Sequence, residues 1–141
     1  MVLSEAPEAM PILEKNVQNK RNCKNVRVEA RKLDWTSDAD LVALRQDSPT
    51  FDVIVGTDVI FNTTLVEPLL KLLWSVAHAN TTVWLCMQER CPDAHAVLMD
   101  KVSVYFDMRD MSSHLAAAPG CKSAAELECF LLRLTRRKDS I

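Results

Sequence analysis

Glycine is nearly missing from this chain of 141 residues, which contains only Gly56 and Gly120. The phosphate-binding loops of nucleotide-binding proteins need several glycines close together, because the backbone approaches the phosphates closely there. The sequence therefore excludes both a P-loop and a dinucleotide-binding fingerprint. A generic nucleotide-binding protein is a correspondingly weak interpretation.

The chain also lacks a long apolar run and a large excess of charge of one sign. The best candidate for a membrane span is interrupted by Glu67 and Lys71, so we expect no membrane partner. The net charge of -2 at pH 7 argues against a nucleic-acid partner. The length and the hydrophobic share of 48% predict a single compact domain spanning residues 1–141.

Cysteine is present, but its spacing shows no pairing pattern. The count of five is odd, which favours reduced thiols in a cytoplasmic or nuclear protein. Cys86, Cys91 and His95 form an incomplete set of metal ligands, because a fourth ligand is missing. We therefore expect no metal site.

Strand-like and helical patterns alternate along the whole chain, which predicts an α/β fold. The segment 51–55 is apolar apart from Asp52, as is typical of a buried parallel strand. Thr64 and Glu67 match a capping box at the start of the next helix. The predicted strands are 1–3, 26–30, 51–55, 82–87, 107–113 and 128–134, and the predicted helices are 9–17, 37–44, 64–76 and 93–106, with a loop at 115–125.

Ligands of open α/β sheets bind outside the carboxyl ends of the strands, and polar or aromatic residues follow the first two predicted strands. Glu5 is placed to accept both hydroxyls of a ribose, or else is an acid favoured by the dipole of the next helix. Trp35 follows Asp34 and forms either a flat wall for an adenine ring or a large core residue. The sequence leaves both alternatives open.

A third acid, Asp58, follows the predicted strand 51–55 directly after Thr57. This carboxylate either reaches the crevice at the sheet edge or caps the next helix. Because the residues from Asn62 to Thr64 already supply caps for that helix, the pattern favours a functional role for Asp58.

Three stretches of the chain together resemble the seven-strand, S-adenosylmethionine-dependent protein methyltransferases, in particular the methyltransferase-like group that mostly modifies lysine. The stretches are SEAPEAMPILEKNVQNK, VRVEARKLDW and FDVIVGTDVIFNTTLVEPLLKLL. The resemblance covers nearly the whole chain, from the end of the family's second strand to its last one. It implies a Rossmann-like methyltransferase sheet, with S-adenosylmethionine as the cofactor.

The resemblance also implies roles for individual residues. Glu5 matches the acid that binds the cofactor's ribose, and Trp35, preceded by Asp34, matches the indole beside the adenine. Thr57 matches a small residue that lines the cofactor pocket. The segment DVIF, from Asp58 to Phe61, matches the family's Asp-x-x-Tyr signature, which orients the substrate amine.

The chain departs from the family pattern in two respects. Phe61 replaces the usual tyrosine, which keeps an aromatic ring but removes a hydroxyl group. The chain also begins after the point where the family has its first strand, which is central in the sheet, and its glycine-containing cofactor loop. We therefore expect a partial methyltransferase domain that lacks this strand and this loop.

The sequence predicts, by resemblance, a methyltransferase that acts on a protein substrate through a lysine side chain. The alternative is a non-catalytic interaction module that keeps the scaffold and has lost cofactor binding. The substrate protein and the oligomeric state are not encoded in any motif that we identify.

Overall fold

The computed structural model describes residues 1–19, 27–47, 50–114 and 128–137. The chain forms two compact units, Met1–Asp47 and Ser48–Ile141, which are described separately below. The expectation of a single domain stays a prediction.

The described part of unit 1 contains a two-stranded parallel sheet, a helix that connects its strands and a second helix after the sheet. The register pairs Val2 with Glu29 at one end and Glu5 with Lys32 at the other. Its elements are β1 (Val2–Glu5), a 3-10 turn (Pro7–Ala9), α1 (Met10–Gln18), β2 (Glu29–Lys32) and α2 (Asp38–Asp47).

Local sequence signals explain where the helices of unit 1 begin. Pro11 lies in the first turn of α1, where a missing N–H costs no hydrogen bond. The Ser37 hydroxyl oxygen accepts a hydrogen bond from the Asp40 N–H at 3.2 Å, and this bond caps α2. The second predicted strand starts later than expected, and Val26 lies outside the described residues.

Unit 2 contains a mixed four-stranded sheet in the order β3-β4-β6-β5. The β3 and β4 strands are parallel, whereas β6 runs antiparallel to both β4 and β5. Its elements are β3 (Phe51–Thr57), α3 (Thr63–Val76), β4 (Ala77–Gln88), α4 (Pro92–Tyr105), β5 (Phe106–Asp110), a 3-10 turn (Ser112–His114) and β6 (Cys129–Arg136). The predicted loop at 115–125 lies outside the described residues.

The core of unit 2 includes one face of this sheet. Alternate residues of β4 and β6 are almost inaccessible to solvent, as the period of a strand requires. Their partners in the core come from the apolar stripes of α3 and α4. The buried side chains include Val83, Leu85, Met87, Leu132 and Leu134 from the sheet, and Val66, Leu70, Leu98 and Val102 from the helices.

The prediction that the strand at 51–55 is buried is wrong. Val53 is 58% exposed and Val55 is 67% exposed, whereas Ile54 between them is only partly accessible. Among the described strands, β3 pairs with β4 alone, so it lies at an edge of its sheet. An apolar strand sequence reports β propensity, but it does not report whether a neighbour covers the strand.

The predicted capping box of α3 is also wrong. The Asn62 side chain caps this helix, because its Oδ1 accepts hydrogen bonds from the Thr64 N–H at 2.9 Å and from the Thr64 hydroxyl at 2.8 Å. Glu67 therefore lies too far into the helix to reach back to the cap, and its carboxylate instead pairs with Lys71 at 3.1 Å and Lys101 at 2.5 Å. The helix begins one residue earlier than predicted, and of the cap candidates 62–64 the residue that caps it is Asn62 rather than Thr64.

Candidate functional site

In unit 1, the candidate nucleoside-binding residues lie at the carboxyl edge of the parallel pair β1 and β2. Glu5 is the last residue of β1, and Asp34 and Trp35 follow the end of β2. The Leu33 N–H donates a hydrogen bond to the Glu5 carbonyl oxygen at 3.0 Å, which joins the two strand ends. The structure therefore places these three sequence-predicted residues at one edge of the sheet.

The Glu5 carboxylate is exposed at this edge. Its Oε2 accepts a hydrogen bond from the Ala6 N–H at 3.2 Å, a contact that orients the side chain without burying it. An exposed carboxylate is able to accept hydrogen bonds from two neighbouring hydroxyl groups, since each oxygen carries more than one acceptor site.

The turn that carries Trp35 is fixed by side-chain hydrogen bonds. Asp34 Oδ1 accepts from the Thr36 N–H at 2.8 Å and from the Thr36 hydroxyl at 2.7 Å, and these bonds lower the pKa of Asp34. The Asp34 N–H donates to Asp40 Oδ2 at 2.9 Å, and this contact is the main cause of the lowered pKa of Asp40. The half-buried indole of Trp35 therefore projects from a turn whose backbone is held on both sides.

In unit 2, the strand β3 ends in the segment that carries Thr57, Asp58 and Phe61. Asp58 has a φ of 52°, in the left-handed region that aspartate tolerates better than most residues. Its N–H donates to the Cys86 carbonyl oxygen at 3.0 Å, so the backbone stays attached to β4 while the chain changes direction. This conformation sets the position of the carboxylate at the end of the strand.

The Asp58 carboxylate faces the end of β4. Its Oδ1 accepts from the Gln88 N–H at 3.4 Å, and its Oδ2 lies 3.4 Å from the Arg90 guanidinium. The Asp58 side chain is 49% exposed. Because Asn62 caps α3, the alternative role of Asp58 as that cap does not apply.

The four-residue segment DVIF contains one buried and one exposed apolar side chain at its end. Ile60 is only 4% exposed and fixes the segment in the core, whereas Phe61 is 55% exposed. An aromatic ring with this exposure is able to form one wall of a binding site, as the resemblance implied for this position. Thr57, at the end of β3, is exposed as well.

The thiol of Cys86, on the strand that pairs with β3, is disfavoured in its thiolate form. Burial is the main cause that raises the pKa of the Cys86 thiol, and the proximity of Cys129 and Asp58 adds to the increase. In the described parts of the chain, no three histidine, cysteine, aspartate or glutamate side chains are grouped closely enough to hold a metal ion. No helix among the described residues is long and apolar enough to cross a bilayer.

Two polar residues at the end of β4 were missed by the sequence analysis. Gln88 and Arg90 both contact the Asp58 carboxylate, although neither belongs to the segment that carried the resemblance. The sequence does contain a signal for these two residues. The apolar run of β4, the strand that pairs with β3, gives way to polar residues after Met87. The ends of neighbouring parallel strands meet at one edge, so both ends should be searched together.

Comparison with solved structures defines the class of fold. The structure is similar to a predicted O-methyltransferase from Agrobacterium tumefaciens, with a TM-score of 0.67 and 13% sequence identity over 99% of this chain and 63% of that one. It is also similar to a protein from Pyrococcus horikoshii, with a TM-score of 0.63 and 11% identity over 97% of this chain and 71% of that one. The fold is therefore the Rossmann-like methyltransferase fold, as predicted, and the chain spans 63% of the length of the Agrobacterium protein.

The sequence itself identifies the family. A comparison with curated proteins finds no match. Residues 1–108 match the model of the lysine methyltransferase family. The chain belongs to this family, which confirms the resemblance drawn from the three quoted stretches.

Proposed function

We propose that this chain contributes to an S-adenosylmethionine-dependent enzyme that methylates lysine side chains of proteins. The observation that carries the proposal is the position of Asp58, an exposed carboxylate at the carboxyl end of β3 that is held there by a left-handed backbone and a bond to β4. Such a side chain is suited to bind a protonated amine. The family match supports the choice of lysine as the acceptor.

The residues of unit 1 fit the nucleoside of the proposed cofactor. Glu5 offers an exposed carboxylate to the ribose hydroxyls, and Trp35 offers a partly accessible ring, on a turn fixed by Asp34, to the adenine. In unit 2, Thr57 is a small residue at the end of β3 that suits the lining of a cofactor pocket. When bound, S-adenosylmethionine supplies an electrophilic methyl group on a sulfonium centre.

The residues of unit 2 fit the acceptor. The Asp58 carboxylate holds the lysine ammonium group by charge and hydrogen bonds, and the exposed ring of Phe61 flanks the aliphatic part of the side chain. Methyl transfer is a displacement in line with the breaking bond, so positioning of the nitrogen is the main task of these side chains. The ammonium group loses its proton to solvent water before attack, since only the free electron pair of the amine forms the new bond.

The proposal is tested by cofactor binding and by methyl transfer. Calorimetric titration with S-adenosylmethionine measures cofactor binding. The titration is done on this chain and on a version extended at its N-terminus. Incorporation of radiolabelled methyl groups into protein extracts measures methyl transfer, and we expect Asp58→Asn to lower it by roughly tenfold or more, the scale of a lost hydrogen bond to a charged group. Asp52→Asn, which changes an almost fully exposed acid near the start of β3, is the matched control and should leave methyl transfer unchanged.

One observation favours a non-catalytic interaction module instead. Phe61 lacks the hydroxyl group that the family's tyrosine offers to the substrate. For such a module, neither version of the chain would bind S-adenosylmethionine, and this result would refute the proposed enzyme. Methyl transfer at near wild-type rate by Asp58→Asn would refute the role given to Asp58 alone.

A further inference from the structure

We propose that Arg90 is the resident counter-ion of Asp58 and that a protonated amine must displace it to bind. This inference rests on the proposed function, because it specifies how the acceptor site selects its ligand. Arg90 is thereby a specificity-determining residue at the end of β4. It favours cationic amines over neutral acceptors such as hydroxyl groups.

The geometry shows that Gln88 also holds the Arg90 guanidinium. Its Nε and Nη2 donate to the Gln88 side-chain oxygen at 3.3 and 3.1 Å, while Nη2 lies 3.4 Å from Asp58 Oδ2. The Gln88 backbone N–H donates to the other carboxylate oxygen of Asp58. Gln88 therefore links the carboxylate to its counter-ion and holds the guanidinium at the position that a substrate ammonium group would take.

The exposure of the pair shows that it is displaceable. The Arg90 side chain is 65% exposed and that of Asp58 is 49% exposed. Ion pairs of this exposure are weak, and their loss changes an equilibrium constant by only about 1.4- to 5-fold. A ligand with its own positive charge and N–H donors replaces what Arg90 supplies, whereas a neutral ligand leaves the carboxylate without a counter-charge.

Arg90 also competes with the methylated lysine product for the Asp58 carboxylate. A trimethylated lysine keeps its charge but has no N–H to donate to the carboxylate. Arg90, with its N–H groups, then competes more effectively for Asp58 than it does against an unmodified lysine. The displaced guanidinium therefore favours release of the fully methylated side chain.

The inference is tested on the full chain with small cations, without the need for enzyme activity. The probe is n-butylammonium, which carries the same amine as a lysine side chain, and the signal is the Gln88 backbone amide in ¹⁵N–¹H correlation spectra. We expect Arg90→Gln to bind this cation about 1.4- to 5-fold more tightly than the wild type, because the competing charge is gone. Arg90→Lys, which keeps the charge, should bind it with an affinity near that of the wild type.

The controls separate the two proposals. Arg109→Gln removes an exposed charge from β5 and should bind like the wild type, and tetramethylammonium should bind more weakly than n-butylammonium. One result would overturn the role of Arg90 and leave the acceptor site intact. In that result, Asp58→Asn abolishes binding of n-butylammonium, but Arg90→Gln binds it no more tightly than the wild type. Two other results would overturn the acceptor site itself, and the role of Arg90 with it. In the first, Asp58→Asn binds n-butylammonium as the wild type does. In the second, neither the wild type nor Arg90→Gln responds to this cation.

Discussion

Gly56 allows β3 to approach its neighbour closely, and replacing it with alanine tests this contact. A Cβ at this position would lie 3.0 Å from Leu85 Cδ2 and 3.3 Å from Val59 Cγ2. Leu85 is only 1% exposed, so its side chain has to move within a packed core. The residue lies two positions before Asp58, so the same contact fixes the strand end that carries the candidate site.

The size of the effect follows from two opposing contributions. Overpacking of a core costs about 1 to 3 kcal/mol. Replacement of glycine by alanine recovers about 0.4 to 1 kcal/mol, because the unfolded chain loses conformational freedom. We therefore expect Gly56→Ala to lower the free energy of unfolding by about 1 kcal/mol, within limits of roughly 0 and 2.6 kcal/mol set by these contributions.

A double-mutant cycle with Leu85→Val identifies the atom responsible, because valine has no Cδ2. The measurement is urea unfolding followed by the fluorescence of Trp74 and Trp84, both of which lie in unit 2. On the Leu85→Val background, Gly56→Ala should cost at least about 0.5 kcal/mol less than in the wild type, which exceeds the usual error of additivity. If Gly56→Ala lowers the free energy of unfolding by the same amount in the wild type and in Leu85→Val, within about 0.3 kcal/mol, then Leu85 does not oppose the added methyl group.

Two further predictions concern α3. Asn62→Ala removes the helix cap and should lower the free energy of unfolding by about 1 kcal/mol, whereas Thr63→Ala, its control, should change it by less than about 0.5 kcal/mol. Hydrogen bonds to Lys101, and then to Lys71, lower the pKa of Glu67, so this contribution to stability is present above pH 4.5 and is lost as the pH falls through the folded pKa. The stability difference between the wild type and Glu67→Gln in urea unfolding should therefore shrink as the pH falls below 4.5, and a difference that stays constant down to pH 3 would contradict the pairing.

The sequence predicted the fold class and most of the elements, because their signals are local. Helix and strand periods lie within single segments, and proline in a first turn or serine before a helix marks a boundary without reference to the rest of the chain. The positions of Glu5, Trp35 and Asp58 at strand ends followed from the same local patterns. Their proposed roles came from family resemblance and stay predictions.

The features that the sequence analysis missed depend on other segments. Val53 and Val55 share the face of β3 opposite Ile54, and their exposure depends on whether another segment packs on that face, which no property of the strand itself encodes. Arg90 reaches Asp58 only because β3 and β4 are parallel and end together, at residues that are 32 positions apart in sequence. Asn62, rather than Thr64, caps α3 because adjacent residues compete for the cap, and backbone geometry decides between them.

The position of β6 has a consequence for local unfolding of the sheet. The other described strands of unit 2 precede β6 in sequence, yet β6 lies between β4 and β5 in the sheet. Among the described strands, β5 pairs with β6 alone, so detachment of β6 also releases β5 and uncovers Phe106, which is 1% exposed in the folded protein. The backbone amides of β5 are therefore expected to exchange with solvent at least as fast as those of β6, and slower exchange in β5 would contradict this dependence.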